Sequence, residues 1–173
     1  MAKQPNRYGG GARTNYNGLR FEQTTSLDEA LRAAGFLVID DCVYREGEKV
    51  GLLAPKQRLY TRFLEKQGVD YRQYNSKRWL PDEAFVNFET ETVYIVEKKF
   101  QNTAGSVDEK LPGCHFKKWE YAKLMRPLGY GVEYIYVFND WFRDPQYRDT
   151  LDYIRRSGCQ YYYNQIPLDV LGL

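Results

Sequence analysis

The sequence predicts an α/β fold: a single domain in which a central mixed β-sheet is flanked by helices. Segments rich in β-branched and aromatic residues alternate with segments of helical periodicity, and one pair of strands is separated by only a few polar residues. Strands interleaved with helices, together with one hairpin, imply a mixed sheet. The 173 residues are 43% hydrophobic and 28% charged, which is typical of one globular domain.

Composition excludes several classes of protein. Three widely spaced cysteines and a single histidine, His115, rule out a disulfide framework, a CxxC redox site and a multi-histidine metal site. The available chemistry is therefore that of carboxylates, lysines and tyrosines. No apolar run is long enough to span a bilayer, and the N-terminus lacks a signal-peptide core, so we expect a cytoplasmic protein without a membrane partner.

The N-terminal region predicts a flexible basic arm over residues 1–18, followed by the folded domain over residues 19–173. The arm is rich in glycine, nearly free of aliphatic residues and carries bases without acids. Two further blocks of bases, at 56–78 and 110–126, give local positive fields although the formal net charge is only +2. Each block fits either a polyanion-binding surface or a solvated face.

The first elements of the domain are a helix and a strand. Ser26 and Glu29 form a capping-box pattern before a helix at 27–34, which Gly35 ends. Residues 36–44 predict a strand, followed by an irregular stretch. After Pro55, apolar pairs at helical spacing predict an amphipathic helix that Gly68 ends.

The second half of the chain predicts a hairpin and then alternating helices and strands. The hairpin strands are 84–88 and 92–100. The elements expected after the hairpin are a helix at 107–128, a strand at 132–139, a helix opening at Asp144–Pro145 and a strand at 159–164.

Charged residues continue the apolar second strand of the hairpin. Because side chains alternate along a strand, Glu97 and Lys99 share one face while Lys98 lies on the other. Folding about Thr90 brings Asp82 opposite residues 97–99, and a one-residue change in turn register decides whether Asp82 shares the face of Glu97.

Two carboxylates with a carbonyl and open positions suit Mg²⁺, for which Mn²⁺ can substitute. Such a cation polarises a phosphoryl oxygen and acidifies water, and Lys99 could orient that water. The alternative interpretation is a surface hairpin whose charges only keep an edge strand soluble.

Leu80-Pro81-Asp82, a hairpin, and Glu97-Lys98-Lys99 together resemble the PD-(D/E)xK nuclease superfamily, which includes most type II restriction endonucleases. The resemblance spans roughly residues 19–165 and implies a restriction-endonuclease-like core. It further implies that Asp82, Glu97 and the Lys98 carbonyl ligate Mg²⁺ and that Lys99 is the catalytic lysine. Glu22, near the N-terminal helix, and Gln101, on the face of Glu97, resemble additional active-site residues of some members.

The basic regions supply the expected DNA contacts. Ser106 and Glu109 form a second capping-box pattern, and the helix start at Ser106 could hold a DNA phosphate. Phe116, Trp119, Lys123 and Arg126 predict a DNA-facing or dimer surface on the following helix. The residues expected to contact DNA are Arg13, Arg20, Ser106, Lys117, Lys118 and Lys123.

The leading hypothesis is a Mg²⁺-dependent deoxyribonuclease, a type II restriction endonuclease that cuts double-stranded DNA as a homodimer in a prokaryotic or phage context. Cutting both strands of a symmetric site needs two active sites. The alternatives are a repair or junction-resolving nuclease and a non-catalytic nucleic-acid-binding or phage-associated protein.

Overall fold

A seven-stranded mixed sheet organises the protein, and its strands lie side by side in chain order. The computed structural model describes residues 18–21 and 25–173. The strands of this sheet are β2 (Leu37–Ile39), β3 (Cys42–Arg45), β4 (Glu48–Leu53), β5 (Glu83–Asn87), β6 (Thr92–Lys99), β7 (Gly131–Phe138) and β8 (Gln160–Tyr163). Two further strands, β1 (Gly18–Arg20) and β9 (Gln165–Pro167), form a separate antiparallel ribbon.

Strand direction changes in the middle of the main sheet. Each neighbouring pair from β2 to β6 is antiparallel, whereas the pairs β6–β7 and β7–β8 are parallel. Parallel neighbours need a crossover connection, and helices α2 (Cys114–Met125) and α3 (Arg148–Arg156) provide the two crossovers. The predicted mixed sheet flanked by helices is confirmed.

The two faces of the sheet carry separate hydrophobic cores. One core contains Ile95 of β6 with the buried residues of α2, α3 and a π-helical segment, Leu59–Leu64. The other core contains Tyr94 and Val96 with the buried residues of α1 (Leu27–Ala33) and the β1–β9 ribbon. Neighbouring residues of β6 therefore face different layers, as strand alternation requires.

Several predicted elements form as expected. Helix α1 has the full capping box: the Glu29 amide donates to the Ser26 hydroxyl, and the Ser26 amide donates to the Glu29 carboxylate. Strands β5, β6 and β7 lie within two residues of their predicted limits. Asp144 caps the 3₁₀ turn Pro145–Tyr147 that leads into α3.

The predicted strand at 36–44 is wrong, because the chain turns back within it. Asp40 and Asp41 have φ values of 49° and 67°, in the left-handed region that aspartate tolerates better than most residues. The turn separates β2 from β3. The stretch expected to be irregular then forms β4, with Gly47 supplying the preceding turn at φ 86°.

The predicted helix at 107–128 is also interrupted. Pro112 lacks an amide hydrogen and crowds the preceding turn, and residues Asp108–Gly113 form a 3₁₀ segment before α2. The capping box of Ser106 and Glu109 is absent, because Val107 occupies the N-cap position without a side-chain hydrogen bond. The segment expected to be one helix after Pro55 consists of the π-helical segment and a 3₁₀ turn, Glu65–Gln67.

Among the described residues, the structure contains no helix with the length and apolar character that crossing a membrane requires.

Candidate active site

The hairpin register places Asp82 opposite Glu97. Glu83 pairs with Val96 and Asn87 with Thr92, so the residue preceding β5 lies across from Glu97 on the same face of the sheet. The buried Asn87 fixes this turn by accepting from the Glu89 and Thr90 amides. A local turn therefore sets the relative position of the two carboxylates.

Asp82, Glu97 and Lys99 converge at the end of β6. The Lys99 ammonium lies 3.2 Å from Glu97 Oε2 and 3.9 Å from Asp82 Oδ2. The Lys98 amide donates to Asp82 Oδ2 at 3.1 Å. Glu97 is only 6% exposed, whereas the Asp82 side chain retains 29% exposure, so the cluster opens to solvent on the Asp82 side.

The donor set at this cluster fits a hard divalent cation. Asp82 and Glu97 offer carboxylate oxygens, the ligands that Mg²⁺ prefers. Because a strand residue exposes its amide and its carbonyl at the same edge, the Lys98 carbonyl lies at the edge where its amide meets Asp82. Within residues 18–21 and 25–173, no group of three or more His, Cys, Asp or Glu side chains is arranged to hold a metal. Mg²⁺ is commonly bound by one or two carboxylates with waters and substrate phosphate.

Lys56 is a member of the cluster that sequence analysis missed. Its ammonium group lies 2.5 Å from Asp82 Oδ1, and its amide donates to the Pro81 carbonyl at 2.9 Å. The backbone of Lys56 is in the left-handed region at φ 53°, which is strained for a residue with a side chain. Lys56 and Asp82 are 26 positions apart in the sequence, so no local sequence signal predicted this contact.

The electrostatic environment favours ionised Asp82. Burial alone would raise the pKa of this carboxyl group. The hydrogen bond from Lys56, the positive charges of Lys99 and Lys56, and the Lys98 amide together outweigh burial and hold the pKa below its ordinary value. A carboxylate that is ionised at neutral pH is the form that binds a cation.

A second, buried ion pair lies on the opposite face of the sheet. Lys98 extends away from Asp82, donates to the Thr25 carbonyl at 2.7 Å and lies 3.5 Å from Glu83 Oε1. Burial raises the pKa of Glu83, against the opposing effects of Lys98 and of the Leu27 amide. Sequence analysis missed Glu83, although its place directly after Asp82 at the start of an apolar strand was a signal.

A cleft of about 360 Å³ adjoins Asp82. Its lining residues are Lys56, Asp82, Glu83, Lys98 and Phe100. The cleft thus borders the Lys56–Asp82 side of the cluster and the Glu83–Lys98 pair, whereas Glu97 and Lys99 do not line it.

Buried tyrosines form the inner wall behind Glu97. Burial raises the pKa values of Tyr121 and Tyr134, and the negative charge of Glu97 is the second cause in both. These phenols therefore stay neutral beside the carboxylate. The Tyr134 hydroxyl is buried without a hydrogen-bond partner among the described residues.

The other predicted catalytic residues have different outcomes. Glu22 lies outside the described residues. Gln101 follows β6, where its backbone exchanges hydrogen bonds with the Asn139 side chain. An added Cβ at Gly105 would lie 2.8 Å from Gln101 Nε2, so the Gln101 side chain lies against that glycine. Its hydrogen bonds among the described residues do not join it to the cluster.

The predicted DNA contacts are spread over the surface. Arg13, like the rest of residues 1–17, lies outside the described residues, whereas Gly18 belongs to β1 and Arg20 is exposed at the end of that strand. Ser106 lies in a turn before the 3₁₀ segment Asp108–Gly113, so the expected phosphate site at that position does not lie at the start of an α-helix.

The three lysines of α2 have different partners. Lys118 donates to the Gly158 carbonyl at 2.6 Å and pairs with Glu133. Its ammonium group is therefore engaged within the protein. Lys117 lies 5.6 Å from the Trp79 ring centroid, and Lys123 lies 4.1 Å from that of Trp119. Lys117 and Lys123 thus belong to an aromatic surface, while Lys118 supports the contact of α2 with the end of α3.

The fold and the carboxylate–lysine cluster define a class of protein. A family profile described as the PD-(D/E)XK nuclease superfamily domain matches residues 18–121, which is well over half of the chain. The chain belongs to the PD-(D/E)XK nuclease superfamily. Neither the search of curated proteins nor that of solved structures gives a significant match.

Proposed function

We propose that the protein is a Mg²⁺-dependent deoxyribonuclease that hydrolyses phosphodiester bonds of double-stranded DNA, with Mn²⁺ able to replace Mg²⁺. The convergence of Asp82, Glu97 and Lys99 at one hairpin is the observation that carries this proposal. Superfamily membership supports nuclease chemistry, and divalent cations are the general cofactors of the class.

Each residue of the cluster has a distinct role in this proposal. Asp82, Glu97 and the Lys98 carbonyl would hold the cation, which would supply Lewis-acid polarisation of a phosphoryl oxygen and acidify water. Lys99, held between the carboxylates, orients the attacking water and offsets the negative charge that develops on the phosphate. Lys56 neutralises Asp82 in the protein alone, and its exposed ammonium group would also be available to a substrate phosphate.

We further propose that the enzyme acts as a homodimer of the type II restriction class. The described residues of one chain form one such cluster, and two-fold symmetric cleavage of both strands needs two. The competing assignment is a repair or junction-resolving nuclease, which shares the chemistry but prefers branched or damaged DNA.

Plasmid cleavage tests the proposal directly. Supercoiled plasmid is incubated with wild-type protein, Asp82→Asn and Glu97→Gln in Mg²⁺, Mn²⁺, Ca²⁺ or EDTA. These isosteric changes keep the size and shape of the side chains while removing the charge that binds the cation. We expect cleavage by wild-type protein in Mg²⁺ or Mn²⁺ alone, and DNA binding without turnover in Ca²⁺, whose larger and looser coordination shell suits catalysis less.

The control is Asp152→Asn, which removes an exposed carboxylate of α3 whose ion-pair partner among the described residues is Arg156 on its own helix. Undiminished cleavage by Asp82→Asn would overturn the assignment. Discrete bands indicate a restriction enzyme, whereas a smear indicates a nonspecific or processing nuclease. The mass of the protein–duplex complex in analytical ultracentrifugation tests the dimer.

A further inference from the structure

Two large aromatic side chains are exposed on the outer face of α2. Phe116 is 50% and Trp119 is 51% exposed, and their ring centroids lie 5.8 Å apart. Trp79, from the segment that leads into β5, packs edge-on against Phe116 at 5.9 Å. We call Trp79, Phe116 and Trp119 the aromatic platform. Exposed aromatic groups of this size on a protein surface indicate a contact site.

Hydrogen bonds and a helix support the aromatic platform. The Trp79 indole donates to the Glu120 carboxylate at 3.2 Å, and the Tyr60 hydroxyl both donates to the Trp79 carbonyl and accepts from the Trp79 amide. Residues Phe116 and Trp119 stand on a regular helix. A ligand that binds here therefore meets a Trp79 ring and a helical backbone that are already held in place.

Positive charge surrounds the same three rings. Lys77 and Lys117 lie 3.9 and 5.6 Å from the Trp79 ring centroid, and Lys123 lies over Trp119. Glu120, the acid between them, is buried and paired with Lys123 at 2.6 Å. The exposed chemistry is therefore aromatic rings with lysine ammonium groups over the Trp79 and Trp119 rings, which complements a ligand that has planar bases and phosphates.

The chain also connects the aromatic platform to the candidate active site. Only Leu80 and Pro81 separate Trp79 from Asp82, so the two Cα atoms are at most about 11 Å apart. Leu80, which lies between them in the chain, is itself 43% exposed. A strand that occupies the active site can therefore continue onto these rings.

We propose that the aromatic platform binds unpaired nucleotides of a nucleic acid strand by stacking their bases on Trp119 and Phe116, while Lys77 and Lys117 contact the phosphates. Bases in an intact duplex are already stacked on each other and present only their edges, so the site selects strands with an unpaired segment. Stacking of a base on an aromatic ring is stronger than an exposed cation–π contact, and the lysines that cover the rings can give way to bases. The preference for DNA with a single-stranded tail rests on the proposed function. The presence of a binding site for unpaired nucleotides does not.

The test measures binding in EDTA, where no cleavage takes place. A duplex with a single-stranded tail and a blunt duplex of the same paired sequence are titrated against wild-type protein and Phe116→Ala/Trp119→Ala, with tryptophan fluorescence and anisotropy as readouts. We expect the tail to tighten wild-type binding and quench tryptophan fluorescence. The double substitution should weaken binding of the tailed DNA by about 10- to 100-fold and leave the blunt duplex unchanged.

Three further variants sharpen the test. Trp119→Phe should retain the tight binding of the tailed DNA and lose much of the quenching, because phenylalanine still stacks. Lys77→Gln/Lys117→Gln should flatten the dependence of log K on log salt for a single strand by about 1.4, at about 0.7 for each lost contact. Tyr153→Ala, which removes an aromatic residue of α3 that is 45% exposed, is the control and should bind like the wild-type protein.

Equal affinity of wild-type protein for tailed and blunt DNA would overturn the inference, as would equal loss for both in the double variant. Conversion of a dimer to a monomer by the double substitution, with tailed-DNA binding retained, would instead assign the aromatic platform to self-association. This test measures binding alone and does not measure cleavage. A protein that binds tails but does not cleave plasmid would therefore refute the proposed function and leave this inference standing.

Discussion

Lys98 and Lys99 are adjacent in β6, but their ammonium groups lie on opposite faces of the sheet. Lys99 contacts the carboxylates of the candidate active site, whereas Lys98 pairs with Glu83 and the Thr25 carbonyl beside α1. The same residue type therefore has two different tasks, and single substitutions can separate them.

Lys99→Met is expected to lower turnover by about 10²- to 10³-fold, the cost typical of removing one group that stabilises transition-state charge. Its DNA affinity should change little, because the loss concerns the reaction rather than ground-state binding. Single-turnover cleavage rates and DNA dissociation constants provide the measurement. A loss of affinity as large as the loss of rate would assign Lys99 to DNA binding instead.

Lys98→Met is expected to reduce stability rather than turnover. The substitution leaves the Glu83 carboxylate without its partner, and breaking a buried ion pair from one side costs about 3 kcal/mol. Urea denaturation measures the change, and the double variant Lys98→Met/Glu83→Gln should recover part of the loss. A native-like midpoint for Lys98→Met would show that the pair contributes nothing to the fold.

Tyr60→Phe tests how the segment before Asp82 is held. The Tyr60 hydroxyl makes hydrogen bonds of 2.8 and 2.9 Å to the Trp79 backbone, and its removal leaves both backbone groups unpaired. The free energy of unfolding should fall by about 1 to 3 kcal/mol. Tyr153→Phe is the matched control, because this tyrosine lies exposed on the surface of α3. It should leave thermal and urea midpoints unchanged.

At the scale of elements, the contact between β4 and β5 depends on a glycine. An added Cβ at Gly51 would lie 2.3 Å from the Phe85 ring and 2.5 Å from the Val86 carbonyl oxygen. Neither a packed ring nor a backbone atom can move aside cheaply. The close approach holds β4 against the strand that leads from Asp82.

Gly51→Ala is therefore expected to destabilise the protein by about 1 to 3 kcal/mol, the usual cost of overpacking. Gly113→Ala is the matched control, because an added Cβ there meets nothing within 4 Å and φ is −64°. That change should be neutral or slightly stabilising. Equal unfolding midpoints for the two variants would contradict the packing argument.

At the scale of the whole molecule, buried tyrosines link stability to alkaline pH. Burial raises the pKa of Tyr60 to about 12, and it raises those of Tyr121, Tyr134 and Tyr136 as well. The unfolded state releases these protons near the ordinary value of about 10, before the folded state does. Their contribution to stability is therefore present below pH of about 10 and is lost as pH rises through the folded pKa values.

A near-ultraviolet titration of the 16 tyrosines should show this delay. In the native protein we expect the buried group to remain protonated at a pH of about 11 and to ionise together with unfolding. In urea all tyrosines should ionise in one step near the ordinary pKa. Complete ionisation of the native protein in that same step, with circular dichroism unchanged, would contradict the prediction.

The sequence by itself determined the elements whose signals are local. The capping box of Ser26 and Glu29 fixed the start of α1, and alternation along β6 assigned Glu97 and Lys99 to one face and Lys98 to the other. Superfamily membership was also readable, because Pro81-Asp82 and Glu97-Lys98-Lys99 are short motifs attached to a hairpin.

Only the tertiary structure decided the contacts between distant segments. Lys56 reaches Asp82 because β4 lies beside β5, Lys98 reaches Thr25 because α1 packs against the far face, and β1 pairs with β9 from opposite ends of the chain. The sequence likewise left the pairing register at Asp82 undetermined, and the turn held by Asn87 sets it in the structure. Such contacts depend on which elements pack together, a choice made by burial over the whole core rather than by any one stretch of residues.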